Sequence, residues 1–158
     1  MNITVICIGK LKEKYLKEAV SEYSKRLSRF VKLDIAELPD CKIPENASPA
    51  QERAVLDKEG EKILSRIKPD SYTVAMCIEG KQLSSTEFAR ELNQISMVSG
   101  NITFIIGGSL GLSDDVKKRA DMHLSFGRIT LPHQLMRVIL LEQVYRGYKI
   151  NNHEAYHK

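Results

Sequence analysis

The chain has 158 residues, 42% hydrophobic and 28% charged, with 24 Lys and Arg against 20 Asp and Glu for a formal net charge of +4. At this length a fold buries about 68–70% of the surface of its unfolded chain, so a core needs neither metal nor disulfide, and interspersed charges without a low-complexity tract exclude a disordered polymer. Cys7, Cys41 and Cys77 are odd in number and lack C-x-x-C spacing, which excludes a disulfide framework and points to a reducing, cytoplasmic compartment.

ITVICIG, residues 3–9, is a short β-branched apolar run of the kind expected for a strand covered on both faces. From Leu11, apolar residues recur at 15, 16, 19, 20, 23, 27 and 30, the stripe of an amphipathic helix. KLDIAEL (32–38) reads as a second strand, and a loop with three prolines follows from Pro39 to Pro49. Ser48, Pro49 and Gln51 form a capping-box pattern for a helix ending near Ile67, before Pro69-Asp70. SYTVAMCIEG is the third strand, and Ser84 with Glu87 opens a helix that closes near Gly100. NITFIIGG is the fourth strand, followed by SLGLSDDV, a short basic helix and a weak fifth strand at 122–126. Pro132 opens the last helix, which runs to about Ile150. This alternation predicts an α/β fold, a parallel sheet with helices on both faces, in one domain over residues 1–158.

The longest aliphatic run, Val138–Leu141, falls far short of the ~18–20 residues of a membrane span, so no membrane association is expected. The N-terminus shows no basic, apolar, small-residue targeting pattern. The last helix carries Leu135, Met136, Val138, Ile139, Leu140, Leu141, Val144, Tyr145 and Tyr148, more than the ~100° stripe that one core needs. Either a second copy covers the surplus, or the helix is central within its own subunit.

Charge is unevenly spread. Residues 10–32 hold eight Lys and Arg against three Glu, and residues 123–158 hold all four histidines. Two basic ends suit a polyanionic partner such as RNA. The alternative is a solvated helix face, since Glu13 with Lys17 and Glu22 with Arg26 have i,i+4 spacing.

In an open parallel sheet, ligands bind beyond the carboxyl ends of the strands. The loops expected there are Gly9-Lys10, Glu79-Gly80-Lys81, Gly107–Gly111 and Phe126–Leu131. GGSLG at 107–111 is neither a dinucleotide fingerprint nor a Walker loop, which argues against a nucleotide triphosphatase. A tight turn accounts for it as well as a cofactor does. Ser109 lacks the G-x-S-x-G context of a nucleophile elbow. His123, His133, His153 and His157 have no Cys companions and no H-E-x-x-H pattern, so no metal is expected. His133 and Arg137 lie one turn apart at a helix start, placed either to meet an anion or to cap the helix. The segment Tyr156-His157-Lys158 concentrates a phenol, an imidazole and an ammonium.

FIIGGSLGLS, LSFGRITLPHQLMRVILLEQVYRGYKI and EAYHK, preceded by ITVICIGKLKEKYLKEAVSEYSKRL and EGKQLSS, resemble the ribosomal RNA large subunit methyltransferase H family along the whole chain. These are small pseudouridine N3-methyltransferases of the knotted SPOUT class. The resemblance implies a deep C-terminal trefoil knot within about residues 72–158, which topology rules alone would discard. It implies S-adenosylmethionine as cofactor, held by Met76, Gly107, Phe126, Gly127, Arg128, Ile129, Thr130 and Leu131. It also implies a homodimer through the last helix (about 132–150) and a target in large-subunit ribosomal RNA on the assembled ribosome. His157, Tyr156, His133 and Arg137 are the candidates for assisting catalysis, with Lys158 or Arg128 on phosphates. The competing readings are a non-catalytic RNA-binding or assembly protein on the same scaffold, and a flavodoxin-like nucleotide-binding regulator.

Overall fold

The computed structural model describes residues 1–156, so the candidate His157, with Lys158, lies outside the described residues. The elements follow in the order β1 (Asn2–Ile8), α1 (Lys14–Leu27), β2 (Lys32–Leu38), α2 (Pro49–Arg66), β3 (Tyr72–Gln82), α3 (Ser85–Val98), β4 (Asn101–Ile106), α4 (Asp114–Arg119), β5 (Met122–Ser125) and α5 (His133–Asn151). The five strands form one sheet in the order β2-β1-β4-β3-β5, and every pairing is parallel.

Alternate strand residues feed two cores, one on each face of the sheet. Ile3, Val5, Cys7, Val74, Ile102 and Phe104 point to the side where α1, α3 and α5 pack. Ile6, Ile8, Ala75 and Ile105 meet Ile63 of α2 and Val116 of α4 on the other. This burial on both faces explains the continuous apolar strands. Both capping boxes form. Ser48 Oγ accepts from Gln51 N and Ser84 Oγ from Glu87 N, while the Gln51 and Glu87 side chains accept from the cap amides.

Two sequence expectations are revised. Glu79-Gly80-Lys81 is not a loop: β3 runs through it to Gln82. Met76 and Lys81 both pair with Leu124 of β5, so residues 77–80 form a bulge and the ladder resumes beyond it. Gly80 is required there because a Cβ would lie 2.7 Å from the Leu124 backbone.

The surplus apolar surface of α5 is partly used within the subunit. The helix packs beside α1 and α3 on one sheet face, burying Leu140, Leu141, Val144 and Tyr145. Tyr145 meets Tyr23 of α1 edge-on at 6.5 Å, and Phe30 stacks on Tyr148 at 5.6 Å. Leu135, Ile139 and Ile150 remain half-buried. Beyond α5 the tail folds back: Glu154 pairs with Arg29 at 2.9 Å and with Lys149.

Candidate active site

A cleft of about 740 Å³ opens at the carboxyl ends of β3, β4 and β5, in the size range of small-molecule and cofactor sites. Its walls are the Gly107–Leu112 turn, the β3 bulge and the loop after β5, with the start of α5 at one end.

The turn is built on close backbone approach. A Cβ on Gly107 would lie 2.3 Å from the Gly111 carbonyl oxygen, and Gly111 N donates to Gly108 O at 3.1 Å. The glycines are therefore demanded by the turn itself, and the same compactness brings backbone groups to the cleft wall.

The bulge presents Cys77, Ile78 and Glu79. Glu79 pairs with Lys117 of α4 at 2.6 Å across the rim. That hydrogen bond holds the carboxyl below its usual range and the ammonium above its own. Burial raises the Cys77 thiol, with the Glu79 charge adding to it, so it stays protonated at neutral pH. Ile78 is 48% exposed and Ile129, on the facing loop, 80%: two apolar side chains left uncovered at one cleft.

The loop after β5 is pinned by Ser125 Oγ, which donates to Gly127 O and accepts from Gly127 N, both at 3.1 Å. Phe126 packs edge-on against Phe88 of α3. Met76, Gly107, Phe126, Gly127, Ile129, Thr130 and Leu131 all line this one cleft. Arg128 is exposed on the same loop and is not among the lining residues.

His133, the first residue of α5, lines the end of the cleft. Burial first, then the Arg137 charge, pushes its imidazole below the ordinary value of 6.5, Lys12 acting in the same sense and Asp40 against it. The ring is therefore neutral at physiological pH and has a lone pair free for a proton.

Arg137 differs from its sequence expectation. It is 1% exposed and does not line the cleft. Its Nη1 donates to Glu37 Oε2 at 2.7 Å, and Nη2 donates to Gly9 O at 2.7 Å and Ile8 O at 3.2 Å. Glu37 Oε2 also accepts from Leu11 N at 2.9 Å. The guanidinium thus ties α5 to the ends of β1 and β2 and holds the loop beside His133. It touches the site through its neighbours, which makes it a positioning group.

Tyr156 is not brought to the cleft of its own subunit either. Its hydroxyl donates to Glu142 Oε2 at 2.9 Å, and its ring lies under the Arg146 guanidinium at 4.7 Å. Glu142 stands nine residues along α5 from His133, about 13 Å at 1.5 Å per residue.

Cys77, Ile78 and Lys117 were not foreseen as site residues, and Glu79 was expected only as part of a strand-end loop. Gly80 was the available signal, since an isolated glycine in a strand pattern marks a bulge. Among the described residues, no group of three or more His, Cys, Asp and Glu could hold a metal ion, and no helix is long and apolar enough to cross a membrane.

Comparison with known proteins agrees with this architecture. A family model described as "Predicted SPOUT methyltransferase" matches residues 1–157. A protein of Ligilactobacillus salivarius named Ribosomal RNA large subunit methyltransferase H is 57% identical over 159 residues, covering all of both chains. One of that name from Clostridioides difficile is 56% identical over 160 residues, again covering all of both chains. Among solved structures, a probable methylase family protein from Haemophilus influenzae is similar in fold. It has a TM-score of 0.57 at 12% identity, over 99% of this chain and 70% of that one. On the family model and these full-length relatives, the chain belongs to the SPOUT methyltransferase family.

Proposed function

We propose that this protein transfers a methyl group from S-adenosylmethionine to N3 of a pseudouridine in large-subunit ribosomal RNA, acting on assembled ribosomes in the cytoplasm. The observation that carries the reading is the cleft itself. In a chain of this family, seven of the eight residues that the resemblance assigns to the cofactor line one cavity.

The residues present fit that cofactor. Ile78, Ile129, Leu131 and Met136 offer apolar surface for a flat ring, and the 107–111 and 126–131 backbones offer amides and carbonyls for its edge and polar groups. The cofactor carries no phosphate, and neither loop contains a lysine or a Walker pattern. Met76, Gly107, Phe126, Gly127, Ile129, Thr130 and Leu131 would hold it, with Arg128 at the outer edge. When bound it supplies a methyl group activated by a sulfonium.

The remaining work falls to this chain. It must hold the nucleophilic nitrogen about 3–3.5 Å from the methyl and take up the proton that the imide loses. Among the described residues lining the cleft, Cys77 and Lys117 are protonated at neutral pH and Glu79 is engaged by Lys117. Neutral His133 is the best-suited acceptor, and Arg137 keeps it in place.

The protein acts as a homodimer joined along α5. Leu135, Ile139, Glu142 and Arg146 recur at i, i+4, i+7 and i+11, so the half-buried apolar positions share a flank with the residues that hold Tyr156. Docking a second copy on that flank would carry Tyr156 toward the partner's cleft. That accounts for Tyr156 not lining its own. The family's trefoil knot, within about residues 72–158, completes the reading.

The test is incubation with labelled methyl donor and ribosomes lacking the modification. Label at a single pseudouridine of the large-subunit RNA supports the reading. Cofactor binding by calorimetry without label in the RNA would favour the non-catalytic RNA-binding protein.

A further inference from the structure

The start of α1 breaks a rule that three other helices follow. α2, α3 and α4 begin on serine caps and carry acids in the first turn. α1 has no side-chain cap and no acid there, and Lys14 opens it. Cations at a helix N-terminus oppose the macrodipole, so this arrangement is not chosen for helix stability, and such departures concentrate at functional sites.

The segment 10–17 holds Lys10, Lys12, Lys14 and Lys17 with Glu13 as its only acid, and all five are exposed. The expected Glu13–Lys17 pair does not form, because Glu13 is the cap residue with extended backbone. Among the described residues, the only ion pair of these lysines is Lys14 with Glu18, 3.7 Å apart and largely exposed. Amid them Tyr15 stands 66% exposed. Glu37, at the end of β2, is occupied by Arg137 and accepts from Leu11 N.

This surface adjoins the active site. Lys12 N donates to the side chain of Gln134, the residue after His133, at 3.2 Å. A Cβ on Gly9 would point at His133 Nε2 from 3.7 Å. Tyr15, three residues beyond Lys12, lies at most about 11 Å from it along the chain.

The geometry points to an RNA grip: Tyr15 stacks on an unpaired base flanking the target nucleotide, and Lys10, Lys12, Lys14 and Lys17 hold the neighbouring phosphates. The inference rests on the RNA-substrate reading above and names the surface that would serve it. The chemistry asks for such a surface. N3 lies on the Watson–Crick edge, so it is reachable only when the target is unpaired, and its neighbours are then available for stacking. An exposed aromatic within a basic track is the usual device for single strands, because every base has a π-face.

The experiment compares wild type with Tyr15→Ala, Tyr15→Trp and the double variant Lys12→Ala/Lys14→Ala. The readouts are binding to unmodified ribosomes across a salt series and steady-state methyl transfer. Cofactor affinity by calorimetry serves as the folding control. Tyr15→Ala is expected to weaken ribosome binding about ten- to one-hundred-fold, raising KM with kcat nearly kept and the salt slope unchanged. Tyr15→Trp restores most of the loss. The lysine double variant lowers the slope of log K against log salt by about 1.4, or 0.7 per lost phosphate contact on a single strand.

Binding by Tyr15→Ala within twofold of wild type, or a loss that Trp does not restore, would overturn the stacking role. An unchanged salt slope in the lysine variant would overturn the phosphate role. If wild type labels ribosomes and these variants match it, only this inference fails. If wild type transfers no label, the substrate reading fails and takes the inference with it.

Discussion

The helix starts of this protein fall into two groups. α2, α3 and α4 carry a serine whose side chain accepts from the backbone three residues on, with acids in the first turn. α1 and α5 have neither. Physical chemistry favours the first arrangement at any helix start, so the second needs another reason. Location supplies it: the uncapped starts meet at the loop where Lys12 bonds Gln134 and Gly9 faces His133. α4 also borders the cleft, through Lys117 in its last turn. On the function proposed above, stability is secured at the starts assigned neither RNA nor a proton, and relaxed where a base and an anionic substrate would be met.

Substitutions can break this contrast at different depths. The largest effect is expected at His133. Replacing it by Gln should slow single-turnover methyl transfer by about 10²–10⁴, the span of general base catalysis, with cofactor affinity kept. Because the folded imidazole titrates below 6.5, the acid limb of the wild-type rate profile should lie below that pH and vanish in the variant. The same shift predicts stability that rises with pH in the window just below 6.5. There the unfolded chain holds more protons than the folded one, and His133→Gln should flatten this slope in denaturant titrations.

Arg137→Ala should cost about 3 kcal/mol in urea unfolding, the lower part of the range for breaking a buried pair, because Glu37 keeps access to solvent. Ile139→Glu should yield folded monomers by sedimentation if α5 joins two copies, whereas Leu141→Arg should fail to fold, because Leu141 is in the core. Ser84→Ala should lose about 1 kcal/mol of stability with activity unchanged. The smallest change is the most diagnostic. Lys14→Glu should leave stability within about 0.5 kcal/mol of wild type, because matching the helix dipole offsets the lost Lys14–Glu18 pair and the like-charge contact created with Glu18, while ribosome binding weakens. Loss of both stability and binding would dissolve the two-group picture.

Most elements were legible because β1, the first half of β3 and β4 are apolar on both faces and most helices are bounded by Ser, Pro or Gly. The strand-end rule then pointed to the 107–111 and 126–131 loops, which line one cleft. What stayed hidden depends on register or on distance along the chain. The bulge at 77–80 exists because β3 pairs with β5 in two registers, which no local pattern encodes. Arg137 read as either an anion binder or a helix cap because its i,i+4 relation to His133 is visible, whereas Glu37, 100 residues away, is not. Tyr156 was a catalytic candidate on the family resemblance, and only the fold shows that its hydroxyl bonds Glu142. The knot was named from resemblance alone, since periodicity says nothing about threading.

The bulge in β3 has a consequence for binding entropy. Its residues leave the ladder opposite Leu124 and return opposite the same residue, so the excursion is a closed loop whose ends the sheet already holds together. A wall tethered in this way loses little freedom when a ligand arrives, because its ordering was completed when the sheet formed. The loop at 126–131 is secured at one end by Ser125 and continues into α5 at the other. The cleft therefore sets a fixed jaw against a more compliant one, and any adjustment on ligand entry is expected on the side that carries Ile129.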